Sequence, residues 1–100
     1  MIVVVFRARL RPDADMVAFG ALYEEMYGYV AQIPGFLGVK DFTAGDGEAV
    51  TIVEFDSHLA LEAWKNHPDH LRAKEHGRRE CFSEYSIQIC EQVSQYGSGN

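Results

Sequence analysis

Several residue types are scarce in this sequence, and their scarcity excludes whole classes of protein. The chain has only two cysteines, too few for a small fold built on disulfides. We expect both Cys81 and Cys90 on the last strand, where about nine residues of extended chain hold them roughly 30 Å apart, beyond disulfide reach. The sequence therefore predicts a reduced protein of the cytoplasm.

Basic residues and long apolar runs are also few. Nine lysines and arginines stand against 15 aspartates and glutamates, for a net charge of −6, whereas proteins that bind nucleic acid have a basic surface. The apolar opening, Met1–Phe6, is too short to span a membrane and has no basic leader before it. We therefore expect neither a nucleic acid nor a membrane as partner.

Cofactor-binding patterns are missing as well. Two glycines flank an aspartate at Gly45-Asp46-Gly47, between two strand-like segments. This arrangement is typical of a hairpin turn. It does not precede a helix, as a phosphate-binding loop or a dinucleotide fingerprint would. The sequence therefore predicts no flavin or nicotinamide cofactor.

What the sequence does contain is the periodicity of one small α+β domain. A chain of 100 residues holds a single core, and we assign residues 1–93 to this domain and residues 94–100 to a flexible C-terminal tail. Alternating apolar residues predict strands at Ile2–Leu10, Phe36–Ala44, Glu48–Asp56 and Cys81–Val93. Three- and four-residue spacing predicts helices at Asp15–Ile33, Leu59–Lys65 and Pro68–Arg79.

This order of elements predicts the β-α-β-β-α-β layout of ferredoxin-like folds, in which Pro68 interrupts the second helical region. Such a fold is a four-stranded antiparallel sheet with its helices on one face. The first and third strands carry apolar residues on both faces, although the helices can cover only one. We therefore expect a homodimer in which two sheets pack face to face.

The segment between Glu54 and His76 contains the residues best suited to catalysis, including the only tryptophan, Trp64, and all four histidines. The spacing of His67 and His70 would let them share a metal on one helix. The proline between them breaks the helix, however, and no cysteine or carboxylate completes a ligand set, so no metal site is expected. An imidazole is instead a plausible proton carrier near neutral pH, and Trp64 is either a core residue or the wall of a pocket.

Two stretches of the sequence, PGFLGVKDF and VEFDSHLALEAWKNHPDH, resemble the antibiotic biosynthesis monooxygenase domain. The first enters the second strand, and the second runs from the third strand through the helix break. The resemblance extends from Ile2 to Val93. It implies a ferredoxin-like fold that forms a dimeric α+β barrel and acts on a small molecule.

The resemblance also points to one branch of that family more than to two others. Members that oxidise polycyclic aromatic phenols have an asparagine one turn before the tryptophan and a tyrosine six residues after it, where this chain has Ala60 and His70. Haem-degrading members have a histidine ten residues after the tryptophan and an asparagine in the first strand, where this chain has Lys74 and Arg7. The chain is most similar to quinol monooxygenases and small-molecule isomerases, in which a histidine near the His-Pro-x-His segment is the candidate catalytic group.

The resemblance therefore implies a cofactor-independent monooxygenase for a small aromatic or quinol-like molecule. Such a molecule can reduce dioxygen directly once it is deprotonated, so the protein need only bind it, remove it from water and take its proton. We expect His70, with His67 as a second candidate, to handle that proton. The expected substrate-binding residues are Trp64, Arg7, Arg9, Phe82 and Tyr85.

Two alternatives stay open at this point. Arg7 and Arg9 could steady an anionic oxygen of the substrate, or they could be surface residues or dimer contacts. The whole protein could also be a non-catalytic dimeric module that binds a small molecule, or a haem-binding relative. An apolar pocket beside Trp64 with His70 facing into it would favour the enzyme.

Overall fold

A computed structural model describes residues 1–99, which form a four-stranded antiparallel sheet with three α-helices on one face. The strands are β1 Ile2–Leu10, β2 Phe36–Thr43, β3 Ala49–Phe55 and β4 Phe82–Glu91. The helices are α1 Met16–Val30, α2 His58–Lys65 and α3 Pro68–His76, and one π-helical turn, Gly77–Cys81, joins α3 to β4. The strand order is β2-β3-β1-β4. This confirms the predicted ferredoxin-like fold, with the second helical region divided into two helices.

Local sequence sets the break between α2 and α3. The hydroxyl of Ser57 caps α2 by accepting a hydrogen bond from the backbone N–H of Ala60, at 3.2 Å. Helix α3 begins at Pro68, where the missing N–H of proline costs no helical hydrogen bond, and His67 caps it. The chain therefore turns just after α2, and this turn brings the start of α3 back against the end of α2.

The core lies between the sheet and helices α1 and α2. Phe55 is fully buried at its centre, and the other buried members of the cluster are Ile2, Val30, Ala60 and Leu61. Trp64 and Val4 are half-buried and pack against this cluster. The indole therefore lies at the border of the core, where one part of it is packed and another part is accessible.

The placement of Cys81 on the last strand was wrong. Cys81 is the final residue of the π-helical turn and is buried, and β4 begins only at Phe82. The extra turn carries the chain from α3 back to the edge of the sheet before the strand starts. Cys81 and Cys90 are both free, as predicted.

Within residues 1–99, one face of the sheet carries no helix. Side chains alternate between the two faces along a strand. Ile2 is buried beneath the helices, so the odd-numbered residues of β1, beginning with Val3 and Val5, lie on the opposite face. We call this the open face; its apolar members include Val3, Val5, Val50, Ile52 and Phe42. A shallow cavity of about 310 Å³ lies over β2 and β3 on this face, lined by Lys40, Phe42, Ile52 and their neighbours.

The chain after β4 has no further helix or strand through residue 99. Residues 94–99 of the predicted tail are described, and Asn100 lies outside the described residues, so the flexibility of the tail stays a prediction. Within residues 1–99, no helix is both long enough and apolar enough to cross a lipid bilayer.

Candidate functional site

Four aromatic rings meet where α2 and α3 join, and we call this group the Trp64 cluster. The imidazole of His70 stacks on the indole of Trp64, with ring centroids 4.3 Å apart and planes inclined by 17°. The ring of His67 lies 5.7 Å from the indole and 5.4 Å from the ring of Tyr29 in α1. The structure therefore brings together Trp64, His67 and His70, as the sequence predicted, and adds Tyr29, whose only sequence signal is an aromatic position on a helix.

The ring of His70 is oriented by the preceding helix. Its Nδ1 lies 3.1 Å from the backbone carbonyl oxygen of Trp64. Burial lowers the pKa of His70 below its ordinary 6.5, the bond to that carbonyl partly opposes this change, and the charges of Lys74 and His67 lower the pKa further. His70 is therefore a neutral imidazole at neutral pH, which is the form that can accept a proton.

His67 is held by the helix that it caps. Its Nδ1 accepts a hydrogen bond from the backbone N–H of Asp69, at 3.2 Å. The carboxylate of Asp69 also receives a hydrogen bond from Arg72, at 2.7 Å, and Arg72 reaches Glu25 of α1 at 3.3 Å. These contacts fix the start of α3 against α1 and so fix the position of the His67 ring.

Phe82 and Tyr85 belong to a second aromatic group, farther along the helix-covered face. Phe82 lies 5.4 Å from Phe6 and 5.9 Å from Phe19 of α1, and Tyr85 lies 6.0 Å from Phe6. A Cβ on Gly77 would come within 2.8 Å of the Phe82 ring, so a larger residue there would displace that ring. We call these rings the Phe82 group.

Three residues of β4 form an apolar strip on the helix-facing side of the sheet, and one of them, Tyr85, also belongs to the Phe82 group. Tyr85, Ile87 and Ile89 face the helices but remain 38%, 42% and 47% exposed, because no helix covers them closely. Ile89 pairs with Val4, and Val4 packs on the same core cluster as Trp64. The β4 strip therefore adjoins, through Val4, the core cluster on which Trp64 also packs.

The structure does not bring Arg7 and Arg9 to the Trp64 cluster. Both side chains extend from the open face, because they alternate with Phe6 and Ala8 along β1. Arg7 pairs with Glu48 at 2.9 Å, and Arg9 pairs with Asp46 at 2.7 Å and with Glu84. The sequence could not assign the arginines to a face, since β1 begins apolar on both sides.

The ion pairs of Arg7 and Arg9 border a shallow cavity on the open face. Its lining is charged, whereas the Trp64 cluster is aromatic. It has a volume of about 240 Å³ and is lined by Arg7, Arg9, Glu48, Glu84 and their neighbours. The hydrogen bonds and charges of Arg9 lower the pKa of Asp46, so that carboxyl stays ionised. Because carboxylates already neutralise both guanidinium groups, this cavity is poorly suited to an anionic ligand.

Two positions at which the resemblance separates this chain from other branches of the family, Ala60 and Lys74, lie in different surroundings. Ala60, where the resemblance implies an asparagine in the phenol-oxidising members, is 3% exposed, and a Cβ added at Gly35 would come within 2.8 Å of its Cβ. Lys74, at the position of the haem-binding histidine, is exposed on α3. Among residues 1–99, no three histidine, cysteine, aspartate or glutamate side chains come together as a set that could hold a metal.

Residues 1–76 match the family described as antibiotic biosynthesis monooxygenase. The uncharacterized protein YqjZ of Bacillus subtilis (strain 168) is 34% identical over 73 residues, which make up 73% of this chain and 64% of that protein. The chain thus spans slightly less than two thirds of the length of this relative.

Two solved structures show the same fold. Rv0793 from Mycobacterium tuberculosis superposes with a TM-score of 0.81 at 21% identity, over 96% of this chain and 98% of that one. The N63A mutant of SnoaB from Streptomyces nogalater gives a TM-score of 0.80 at 15% identity, over 97% of each chain. With the sequence match over residues 1–76, these comparisons show that the chain belongs to the antibiotic biosynthesis monooxygenase family.

Proposed function

We propose that this protein is a cofactor-independent monooxygenase that acts on a small aromatic or quinol-like molecule at the Trp64 cluster. Family membership supports the reaction class, and SnoaB, which has the same fold, is described as a cofactor-independent oxygenase. The observation that carries the proposal is the position of His70. The His70 side chain is a neutral imidazole that stacks on Trp64, and within residues 1–99 only its Nδ1 has a protein partner, the carbonyl oxygen of Trp64.

The chemistry needs a base, an apolar surface and dioxygen. His70 takes the proton of a substrate hydroxyl, and the resulting anion is electron-rich enough to reduce dioxygen. A quinol and dioxygen give a hydroxyquinone and water, so the substrate supplies all the electrons and no separate reductant is required. In this proposal the β4 strip and Phe82 contact the substrate ring, with Tyr85 at the edge of the strip and Trp64 as a wall.

We further propose that the protein is a homodimer whose open faces pack on each other. The open face presents Val5, Ile52 and Phe42 without a covering helix, and Phe42 is 50% exposed. Burial of such a face is a common reason for a sheet to dimerise. Arg7 and Arg9 then act as dimer contacts, which is the role that their place on the open face favours. Two free cysteines fit a reducing compartment such as the cytoplasm.

Oxygen uptake with a panel of quinols and polyphenols tests the enzyme. We expect uptake by the wild type that is insensitive to a chelator and falls at least about 100-fold in His70→Asn, because a positioned base contributes roughly 10²–10⁴-fold. His76→Asn is the matched control, since His76 is exposed on the same helix, and it should keep wild-type activity. Uptake that a chelator abolishes, or that His70→Asn leaves unchanged, contradicts the proposal.

The dimer has a separate test. Val5→Glu places a charge at the centre of the open face. In light scattering, the wild type should have twice the chain mass of 11.3 kDa, and the variant should have the mass of a single chain. Val17→Glu is the matched control, because Val17 is 85% exposed on α1 and far from that face. A wild type that is monomeric at every concentration refutes the dimer.

One observation favours a second candidate, a dimeric module that binds a small molecule without turning it over. Ala60 is buried in the core where the phenol-oxidising relatives have an asparagine, so the chain lacks one group of that chemistry. A quinol that binds in calorimetry but causes no oxygen uptake, in both wild type and His70→Asn, would support this alternative over the enzyme.

A further inference from the structure

The shallow cavity over β2 and β3 takes no part in the proposed reaction, because it lies on the open face and the Trp64 cluster lies on the helix-covered face. Its lining residues are Gly38, Val39, Lys40, Phe42, Ile52 and Glu54. Gly38 leaves a gap among the side chains of β2, since a Cβ added there would meet nothing within 4 Å. The cavity volume of about 310 Å³ equals that of roughly ten water molecules at about 30 Å³ each. A small ligand therefore has room above the gap.

Two residues of this lining carry opposite charges. Glu54 lies opposite Gly38 in the sheet, and Lys40 is two residues farther along β2, which makes the two charged residues diagonal neighbours about 7–8 Å apart. Arg7 and Arg9 of the open face pair with carboxylates. Within residues 1–99, by contrast, the side chains of Lys40 and Glu54 form no ion pair and no hydrogen bond. Both charges therefore border the gap without a protein partner.

The two charges together select a ligand that has charges of both signs. A separation of this size lies within the Debye length of about 8 Å at physiological salt, so each charge acts on a ligand that the other holds. An anion on Lys40 would be repelled by Glu54, and a cation on Glu54 would be repelled by Lys40. A molecule with one carboxylate and one ammonium group satisfies both side chains at once.

We propose that this cavity binds a small zwitterion, a free α-amino acid with an apolar side chain. Its carboxylate pairs with Lys40, its ammonium group pairs with Glu54, and its side chain contacts Phe42 and Ile52. Leucine and phenylalanine, with about nine and about twelve non-hydrogen atoms, suit a cavity at the small end of the range for ligand sites. The inference goes beyond the proposed function, because every group that it uses lies on the other face of the sheet.

A second copy of the chain is the competing occupant of this surface. In a two-fold dimer of open faces, Lys40 of one protomer could pair with Glu54 of the other. The gap above Gly38 favours the small ligand, because an ion pair between protomers needs no empty volume beside it. Since β2 is an edge strand, the cavity borders the rim of the sheet, and a second copy centred on Val5 would form a roof over it.

Nuclear magnetic resonance titration of the whole protein with L-leucine and L-phenylalanine tests the site. We expect saturable shifts of backbone amide signals in residues 38–42 and 50–54, and none in residues 64–70. Two analogues of leucine each lack one charge: 4-methylpentanoate has no ammonium group, and 3-methylbutylamine has no carboxylate. Each analogue should bind about five- to tenfold more weakly than leucine, the effect of one ion pair in a partly exposed site.

Three variants test the individual contacts. Lys40→Gln should weaken leucine binding about as much as removal of the carboxylate does, and it should not weaken the binding of 3-methylbutylamine. Glu54→Gln should act in the same way toward the ammonium group and leave 4-methylpentanoate no weaker. Gly38→Val fills the gap with a good strand former and should abolish the shifts for every ligand. Lys74→Gln is the matched control, since Lys74 is exposed on α3, and it should bind like the wild type.

The outcomes distinguish this site from the proposed function. Open-face shifts that weaken in these variants support the zwitterion site, whether or not the protein consumes oxygen, since the titrations contain no quinol. The proposal is wrong if no amino acid gives saturable shifts up to its solubility limit, or if the shifts centre on residues 64–70. It is also wrong if Lys40→Gln and Glu54→Gln convert a dimer to monomers in light scattering while no amino acid binds, because the charges then serve the second copy.

Discussion

The imidazole of His70 lies almost flat on the indole of Trp64, with 4.3 Å between the ring centroids, and the same imidazole bonds the backbone carbonyl of Trp64 at 3.1 Å. These two contacts join α2 to α3 across the break at Pro68. They also make the only tryptophan of the chain a direct reporter of the charge on His70.

We predict that the fluorescence of Trp64 follows the protonation of His70. A protonated imidazole quenches a stacked indole more strongly than a neutral one, so emission should fall on acidification, with a midpoint below 6.5 because burial lowers the pKa of His70. A pH titration of the emission checks this. The transition should disappear in His70→Asn and persist in His67→Asn; a transition that survives the loss of His70 contradicts the assignment.

The same pKa predicts how stability depends on pH. Since the folded pKa of His70 lies below its unfolded value of 6.5, the unfolded chain binds the proton first as the pH falls. The free energy of unfolding should therefore be independent of His70 above about pH 7 and should decline below 6.5, until the folded-state pKa is passed.

Urea unfolding at pH 7.5 and pH 5 measures this effect against a matched variant. The wild type should lose more stability between the two pH values than His70→Asn, which has no imidazole to titrate at that position. His76→Asn serves as the control for losing an exposed histidine elsewhere on α3. Equal declines in the wild type and His70→Asn would show that His70 keeps an ordinary pKa in the folded protein.

Much of the fold could be predicted because its signals are local. The cap at Ser57 and the proline at the start of α3 depend on neighbouring residues only, and both agree with the structure. The bounds of β1 also agree, since an alternating apolar run ends at a proline-containing turn. The π-helical turn before β4 could not be predicted, because its close approach to Phe82 depends on how the whole helix packs.

The candidate site was only partly predictable for a related reason. His67 and His70 could be grouped with Trp64 because all three lie within seven residues of the chain. The face occupied by Arg7 and Arg9 could not be decided, since β1 is apolar on both sides until Phe6 and alternation does not reveal which side the helices cover. The contact between Tyr29 and His67 depends on the crossing of two helices distant in sequence, which no local pattern encodes.

We predict opposite effects for two Gly→Ala substitutions. Gly35 has a φ of +94°, and an added Cβ would come within 2.8 Å of the Cβ of Ala60, so Gly35→Ala should destabilise the protein by about 1–3 kcal/mol. Gly20 lies inside α1 with nothing within 4 Å of an added Cβ, so Gly20→Ala should stabilise it by up to about 1 kcal/mol. Thermal or urea unfolding measures both changes, and a neutral Gly35→Ala would contradict the close approach of Gly35 to Ala60.

The last prediction contrasts two phenylalanines on opposite faces of the sheet. Phe55 is fully buried beneath the helices, so Phe55→Ala should cost about 3–5 kcal/mol of unfolding free energy at every protein concentration. Phe42 is 50% exposed on the open face, so Phe42→Ala should cost a single folded chain much less.

If the open faces form the dimer, however, Phe42→Ala should shift the monomer–dimer equilibrium toward monomer, and its effect on the melting temperature should grow with protein concentration. Unfolding measured over a hundredfold range of concentration, together with light scattering, separates these outcomes; an effect of Phe42→Ala that is small and independent of concentration contradicts an interface on this face.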